Sequence, residues 1–104
     1  MSRKYQSALP RRWHGLARVF RALGDEQRQR ILLMFQRGEE LTIKDIYESC
    51  PLSRTAVTHH VRVLREAGVL SAEKRGKEVF LAPNPGVVTE ALDRLRDYIE
   101  EEFE

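Results

Sequence analysis

The chain has 104 residues, a formal net charge of +2 at neutral pH and a single cysteine. This length fits one domain, and one cysteine excludes an intrachain disulfide framework, so we expect a cytoplasmic protein in a reducing compartment. The sequence shows neither a signal-peptide pattern nor an apolar run close to the ~20 residues of a membrane span. It also contains no glycine-rich phosphate loop, nucleophile elbow or metal dyad. We therefore predict a protein that is not an enzyme, carries no cofactor and does not enter a membrane.

The charges are distributed unevenly along the chain. Residues 1–11 are basic and lack apolar periodicity, and we predict a flexible arm there, followed by one domain over residues 12–104. Between positions 53 and 77, six basic residues stand against two acidic ones, whereas every charged residue after Arg96 is acidic. The middle of the chain is therefore its electropositive part, which favours a polyanionic partner.

Apolar periodicity predicts a helix on each side of Gly24. The first helix is indicated by four apolar residues at helical spacing, namely Trp13, Leu16, Ala17 and Phe20. Asp25 is placed to cap the second helix, and we expect Gly38 to end it.

Two further short helices follow, separated by a tight turn. Thr42 and Asp45 fit a capping box at the start of the third helix, and Pro51 cannot continue that helix. Ser53 can cap the fourth helix, and Gly68 can end it in a left-handed conformation. Two helices joined this closely indicate a helix-turn-helix, whose second helix reads DNA.

The fourth helix has one face suited to a protein core and one suited to DNA. Apolar residues recur on the first face, while the second is basic and hydroxyl-rich, with no acid before Glu66. Short side chains permit close approach to a major groove, and arginine reaches base edges. We expect Arg54 and His59 to contact bases; an ordinary solvated helix face is the alternative. The predicted DNA-contacting residues of this helix are Ser53, Arg54, Thr55, Thr58, His59 and Arg62.

Two short strands after this helix predict a β-hairpin, with its turn at Arg75-Gly76. Lys74, Arg75 and Lys77 surround the glycine, and we expect them to contact phosphate or the minor groove, although a merely solubilised loop would have the same composition. A two-stranded wing behind the helix pair predicts a winged helix-turn-helix. The expected fold is mainly α, with about five helices and this small hairpin.

The first and last helices both carry apolar stripes. Pairing these helices across a twofold axis would bury both stripes, and the alternative is that the last helix folds back on its own subunit. The residues predicted for a homodimer interface are Trp13, Leu16, Phe20, Leu92, Leu95, Ile99 and Phe103.

Two segments resemble the ArsR/SmtB family of bacterial winged-helix repressors. FRALGDEQR at 20–28, followed by Ile31-Leu32, is similar to the start of the family's second helix, and LSRTAVTHHVRVLREAG at 52–68 is similar to its recognition helix. Arg75-Gly76-Lys77 is similar to its wing turn. The resemblance extends from about Trp13 to Phe103. It implies a homodimer paired through its first and last helices and regulated by an inducer, often a metal or arsenite.

The metal ligands of that family are replaced in this chain. Thr42 and Lys44 stand where the family has the two thiols of a Cys-x-Cys motif, and an ammonium group repels a cation. The last helix contains no histidine, which the other common metal site of the family requires. We therefore predict no metal site, and we expect Cys50 to be a buried or partly buried structural thiol. The effector is left open among a small molecule, a partner protein and none at all.

Together these patterns predict a homodimeric transcriptional repressor that binds a palindromic operator in double-stranded DNA. The alternative is a winged-helix protein-interaction module with only non-specific DNA affinity. Such a module would depend little on Arg54 and Thr58.

Overall fold

The computed structural model describes residues 3–104, which form five α-helices and one two-stranded antiparallel sheet. The winged helix-turn-helix predicted from the sequence is confirmed. In chain order the elements are a 3-10 turn over Arg11–Trp13, α1 (His14–Leu23), α2 (Glu26–Leu32), α3 (Ile43–Glu48), α4 (Arg54–Glu66), β1 (Leu70–Arg75), β2 (Glu78–Pro83) and α5 (Pro85–Phe103). No helix within the described residues is long and apolar enough to cross a membrane.

The predicted arm lies partly outside the described residues, which begin at Arg3. Residues 3–10 contain no helix or strand, and Arg11 already belongs to the 3-10 turn. The Nε2 atom of His14 lies 2.9 Å from the carbonyl oxygen of Leu9, which ties the last part of this segment to the start of α1.

Side-chain caps start three of the helices where the sequence predicts them. The Asp25 carboxylate accepts from the backbone N–H groups of Gln27 and Arg28 at 2.8 and 3.2 Å. Thr42 and Asp45 form the reciprocal capping box of α3. Ser53 Oγ accepts from the N–H of Ala56 at 3.1 Å, so α4 begins at Arg54. Each cap satisfies a donor that the first helical turn would otherwise leave unpaired.

The predicted end of α2 at Gly38 is wrong, because the helix stops at Leu32. The next turn tightens through bonds between residues three apart, Met34 N–H to Ile31 O and Phe35 N–H to Leu32 O. This tighter turn allows Met34 and Phe35 to pack against the core. Gly38, with φ of +75°, belongs to a separate turn in the loop before α3.

The core is built around α4, which packs against α1, α2, α3 and β1. Three side chains of α4 on one face, Val57, Val61 and Leu64, are fully buried. Other elements contribute further fully buried side chains, including Ile31, Ile46, Leu70 and Leu81. Because its apolar face is packed on several sides, α4 is held firmly while its opposite face remains open to solvent.

The wing is an antiparallel hairpin in which Arg75 pairs with Glu78. Its two-residue turn is therefore Gly76-Lys77, one position later than the predicted Arg75-Gly76. Gly76 has φ of +63°, whereas Lys77 does not have a positive φ, and glycine is favoured at the first central position of such a turn. Leu41 adds a short bridge to β2, with N···O distances of 3.0 and 2.8 Å to Leu81.

The last helix packs on α1 of the same subunit. Ala91 is buried in this contact region, and the rings of Trp13 and Tyr98 meet edge to face with their centroids 4.9 Å apart. A surface cavity of about 340 Å³ lies beside this aromatic pair. The apolar side chains of α5 therefore divide, and only some of them face the body of the subunit.

Candidate nucleic-acid interface

The polar face of α4 presents an exposed row of donors. Arg54, Thr55, His59 and Arg62 are exposed, and Ser53 is exposed just before the helix, although its hydroxyl serves as the cap. Thr58 is half-buried, and its hydroxyl donates to the carbonyl oxygen of Arg54 at 2.8 Å. Its methyl group thus remains the part best suited to a base contact.

The arginines of this face are free of carboxylate partners. Among residues 3–104, no acidic side chain forms an ion pair with Arg54, Arg62 or Arg65. Arg62 and Arg65 also line a surface depression together with Ile43, at the start of α3. This face of α4 therefore presents exposed guanidinium groups without ion-pair partners in the described residues, as binding to a phosphate backbone requires.

The three cations of the wing differ from one another. Lys74 and Lys77 are exposed, and no ion pair involves them within the described part of the chain. Arg75 instead contacts the carboxylates of Glu40 and Glu73, and the hydrogen bond that it donates to Glu40 is the main cause that raises the pKa of Arg75. The wing thus offers two free ammonium groups and one guanidinium that is already paired.

A buried arginine, which the sequence patterns did not single out, connects α4 to the junction of α1 and α2. Arg28 is only 9% exposed, and it donates from Nε to Ala22 O at 2.8 Å and from Nη2 to Arg21 O at 2.9 Å. Its Nη1 atom lies 3.3 Å from Nδ1 of His60. A guanidinium can only donate, so Nδ1 of His60 must be the unprotonated acceptor.

Two titratable groups respond to this arrangement. The pKa of Asp25 is lowered, chiefly by the hydrogen bond from the backbone of Arg28, with the nearby guanidinium adding to the effect. The pKa of His60 is lowered because burial disfavours the imidazolium form, and the charge of Arg28 acts in the same direction. Only the three-dimensional contact reveals this site, because Arg28 and His60 are 32 positions apart.

The residues predicted for the dimer interface fall into three groups. Leu92, Ile99 and Phe103 on α5 are 48%, 39% and 74% exposed in the subunit. Trp13, Phe20 and Leu95 are half-buried. Leu16 is buried within the subunit, so it has little surface left to offer a second copy.

Potential metal ligands are scattered. Within residues 3–104, no group of three or more His, Cys, Asp or Glu side chains is arranged to hold a metal ion. The rings of His59 and His60 are 5.5 Å apart and tilted, with His60 turned towards Arg28. Cys50 is a half-buried free thiol that packs against the core.

Comparison with known proteins agrees with this geometry. A family model described as a helix-turn-helix domain matches residues 17–71, more than half of the chain. The transcriptional repressor SdpR of Bacillus subtilis (strain 168) is 28% identical over 81 residues, which span 78% of this chain and 89% of that protein.

Solved structures show the same fold. An ArsR-like transcriptional regulator from Rhodococcus sp. RHA1 superposes with a TM-score of 0.78 at 27% identity, covering 86% of this chain and 84% of that one. A homodimeric winged helix-turn-helix DNA-binding domain from Mycobacterium bovis gives a TM-score of 0.67 at 19% identity, covering 95% and 96% of the two chains. The resemblance of the sequence motifs to the ArsR/SmtB family is thus confirmed. The members of this family are transcriptional regulators and not enzymes. The chain belongs to the ArsR family of winged helix-turn-helix, DNA-binding transcriptional regulators.

Proposed function

We propose that the protein is a homodimeric repressor that binds a palindromic DNA operator by placing one α4 helix in each of two major grooves. The observation that carries this proposal is the polar face of α4, where Arg54, His59 and Arg62 are exposed. The opposite face is packed into the core, so the helix can meet DNA without rearranging.

The contacts divide into those that read bases and those that bind phosphate. Arg54 and His59 contact base edges, and the methyl groups of Thr55 and Thr58 pack on bases. Ser53, Arg62, Lys74 and Lys77 contact the phosphate backbone and fix the orientation of the subunit. Arg75 lies at the same tip of the wing, but its charge is shared with two carboxylates.

A second copy of the chain would cover the exposed apolar face of α5. Seven large apolar side chains are exposed within residues 3–104, and three of them, Leu92, Ile99 and Phe103, lie on this helix. An apolar face of this kind commonly marks an interface. The Mycobacterium bovis domain, described as a homodimer, shares the fold and supports the same assembly here.

The inducer, where one acts, does not bind through the metal sites of the family. Thr42 and Lys44 occupy the thiolate positions, and the hydroxyl of Thr42 is already used by the α3 cap. We therefore propose that the effector is an organic ligand or a partner protein, with binding to DNA that no effector controls as the alternative.

Selection of bound duplexes from a random pool at near-physiological salt tests the function. We expect a palindrome whose half-sites are about one helical turn, or roughly 10 base pairs, apart. Recovery of no motif, together with binding that disappears as salt rises, would contradict the proposal and favour an interaction module with only electrostatic DNA affinity.

Two variants separate base reading from phosphate binding. Arg54→Ala should cost on the order of 1–3 kcal/mol on the selected operator and relax its sequence preference, since a base contact is lost. Lys77→Ala should weaken binding to all sequences alike and flatten the dependence on salt, since it removes one phosphate contact. If both variants lost affinity equally for the operator and for random DNA, the assignment of Arg54 to bases would be wrong.

A further inference from the structure

The guanidinium of Arg75 is held on three sides at the tip of the wing. Its Nη2 donates to the carboxylate of Glu40, its Nε lies 3.3 Å from Glu73 Oε1, and its Cζ lies 4.4 Å from the centre of the Phe80 ring. Both carboxylates and the ring belong to the same subunit, so these contacts exist before any DNA arrives.

Backbone hydrogen bonds next to Glu40, as well as its charge, hold this residue beside the wing. It directly precedes Leu41, which exchanges two hydrogen bonds with Leu81 of β2. This bridge fixes the loop before α3 alongside the hairpin and keeps the Glu40 side chain within reach of Arg75. The ion pair is therefore part of a defined contact between two segments.

A phosphate that bound the Nε–Nη2 edge of Arg75 would need the N–H group that Glu40 occupies. Carboxylate and phosphate oxygens bind the guanidinium fork with the same geometry, so the two anions compete for Nη2. A phosphate that approached Arg75 would also lie close to the negative charge of Glu40. Lys74 and Lys77 face no such competition, since neither forms an ion pair within residues 3–104.

We propose that Glu40 sets the DNA affinity of the protein by occupying Arg75, so that the wing neutralises fewer phosphates than its three cations would allow. This inference rests on the DNA binding by the wing proposed above. A phosphate contact strengthens binding to every sequence alike. Glu40 therefore limits non-specific binding and leaves the readout of bases by α4 unchanged.

The test is Glu40→Gln, which keeps the size of the side chain and removes its charge. We expect the affinity for operator and for random DNA to rise by a similar factor, about three- to tenfold at 50 mM salt. The plot of log affinity against log salt should become steeper by about 0.9 for each phosphate gained. Glu48→Gln is the matched control, because Glu48 is also exposed and ion-paired, with Lys44 at 3.8 Å, but does not touch the wing.

The same substitution in an Arg75→Gln background separates occupation of Arg75 from simple repulsion of DNA. If Glu40 acts through Arg75, the gain disappears in that background, and Arg75→Gln alone flattens the salt dependence less than Lys77→Ala does. A gain that persists without Arg75 would overturn the inference, because Glu40 would then only repel phosphate. A loss of affinity in Glu40→Gln would overturn it as well, because Glu40 would then orient Arg75 towards DNA.

Lys77→Ala distinguishes failure of this inference from failure of the proposed function. If Lys77→Ala flattens the salt dependence while Glu40→Gln changes nothing, the wing binds DNA and only the role of Glu40 is wrong. If neither variant alters the salt dependence, the wing does not contact phosphate, and both this inference and that part of the proposed interface fall. Thermal unfolding of Glu40→Gln alongside the wild type shows whether the hairpin remains intact.

Discussion

At the scale of single residues, Arg28 is the buried charge in the part of the chain that the structure describes. Burying a charge is costly unless its donors are used, and here Arg28 reaches two carbonyl oxygens of α1 and the imidazole of His60 on α4. A planar guanidinium can serve these partners at once, whereas the single ammonium of lysine cannot. Arg28 therefore holds α4 against the α1–α2 junction.

The free energy of unfolding should decrease as pH falls below about 6.5, because His60 is protonated more readily in the unfolded chain. Its pKa lies below the ordinary 6.5, so the unfolded chain binds the proton more readily than the folded one. This contribution is complete above about pH 6.5 and is lost as pH falls through the folded pKa. Asp25 adds a second loss below its ordinary value of 3.8, since its folded pKa is lowered as well.

Urea unfolding measured between pH 7.5 and pH 5 checks this expectation. The free energy of unfolding should decrease towards pH 5 in the wild type, and His60→Asn, which can still accept from Arg28 but does not titrate, should flatten that decrease. His59→Asn removes the exposed neighbouring imidazole, and this variant should still show the decrease towards pH 5. An identical pH dependence in the wild type and His60→Asn would rule out His60 as the source.

At the scale of elements, the end of α4 fixes the direction in which the wing leaves this helix. Gly68 has φ of +79°, its N–H donates to Arg65 O, and the N–H of Val69 donates to Leu64 O, both at 2.9 Å. These bonds form a Schellman motif, after which Val69 and Leu70 are buried immediately. The wing is thus attached to α4 through a short and well-packed connection.

Gly68→Ala should destabilise the fold by about 1–2 kcal/mol, the cost of placing a side chain in the left-handed region. Space is not the main obstacle, because an added Cβ would lie 3.5 Å from the nearest Val87 methyl group. The midpoint of chemical unfolding measures this loss. Gly15→Ala in α1 is the control, since its Cβ would meet nothing within 4 Å, and alanine should maintain or raise stability there. Equal effects at both positions would contradict the role of the positive φ.

The same elements show how far the sequence determines the fold. Caps at Asp25, Thr42 and Ser53 could be predicted because each depends on a side chain and a backbone N–H within three residues. The end of α2 could not, because Met34 and Phe35 turn inward to pack on residues distant in the chain. The pairing of Arg75 with Glu40 cannot be predicted from local sequence for the same reason, because the two residues are 35 positions apart.

At the scale of the whole molecule, α5 carries two different apolar faces. One face, including Ala91 and Tyr98, packs on α1 within the subunit. The other carries Leu92, Ile99 and Phe103, which remain exposed. The sequence pattern predicts a single apolar stripe, buried either against a second copy or on the same subunit. The structure instead shows one apolar face packed within the subunit and another that is open.

Leu92→Glu should convert the proposed homodimer to monomers, because association through this open face would then bury a carboxylate without a partner. The dissociation constant of the dimer should rise at least about tenfold, measured by sedimentation velocity, and operator binding should weaken with it. Arg30→Gln on α2 is the control: it changes the net charge by the same amount at an exposed position outside α5. A dimer that withstands Leu92→Glu would place the interface elsewhere.

The edge-to-face contact of Trp13 with Tyr98 gives the molecule a built-in spectroscopic probe. Trp13 is the only tryptophan of the chain, so its fluorescence reports from one place, where α1 meets α5. Separation of these helices, or entry of a small molecule into the cavity of about 340 Å³ beside the pair, would change the polarity around the indole and shift its emission. DNA bound at α4 would change the fluorescence of Trp13 only through a conformational change of the protein. The emission of unlabelled protein can therefore show whether DNA binding changes the contact between the first and last helices.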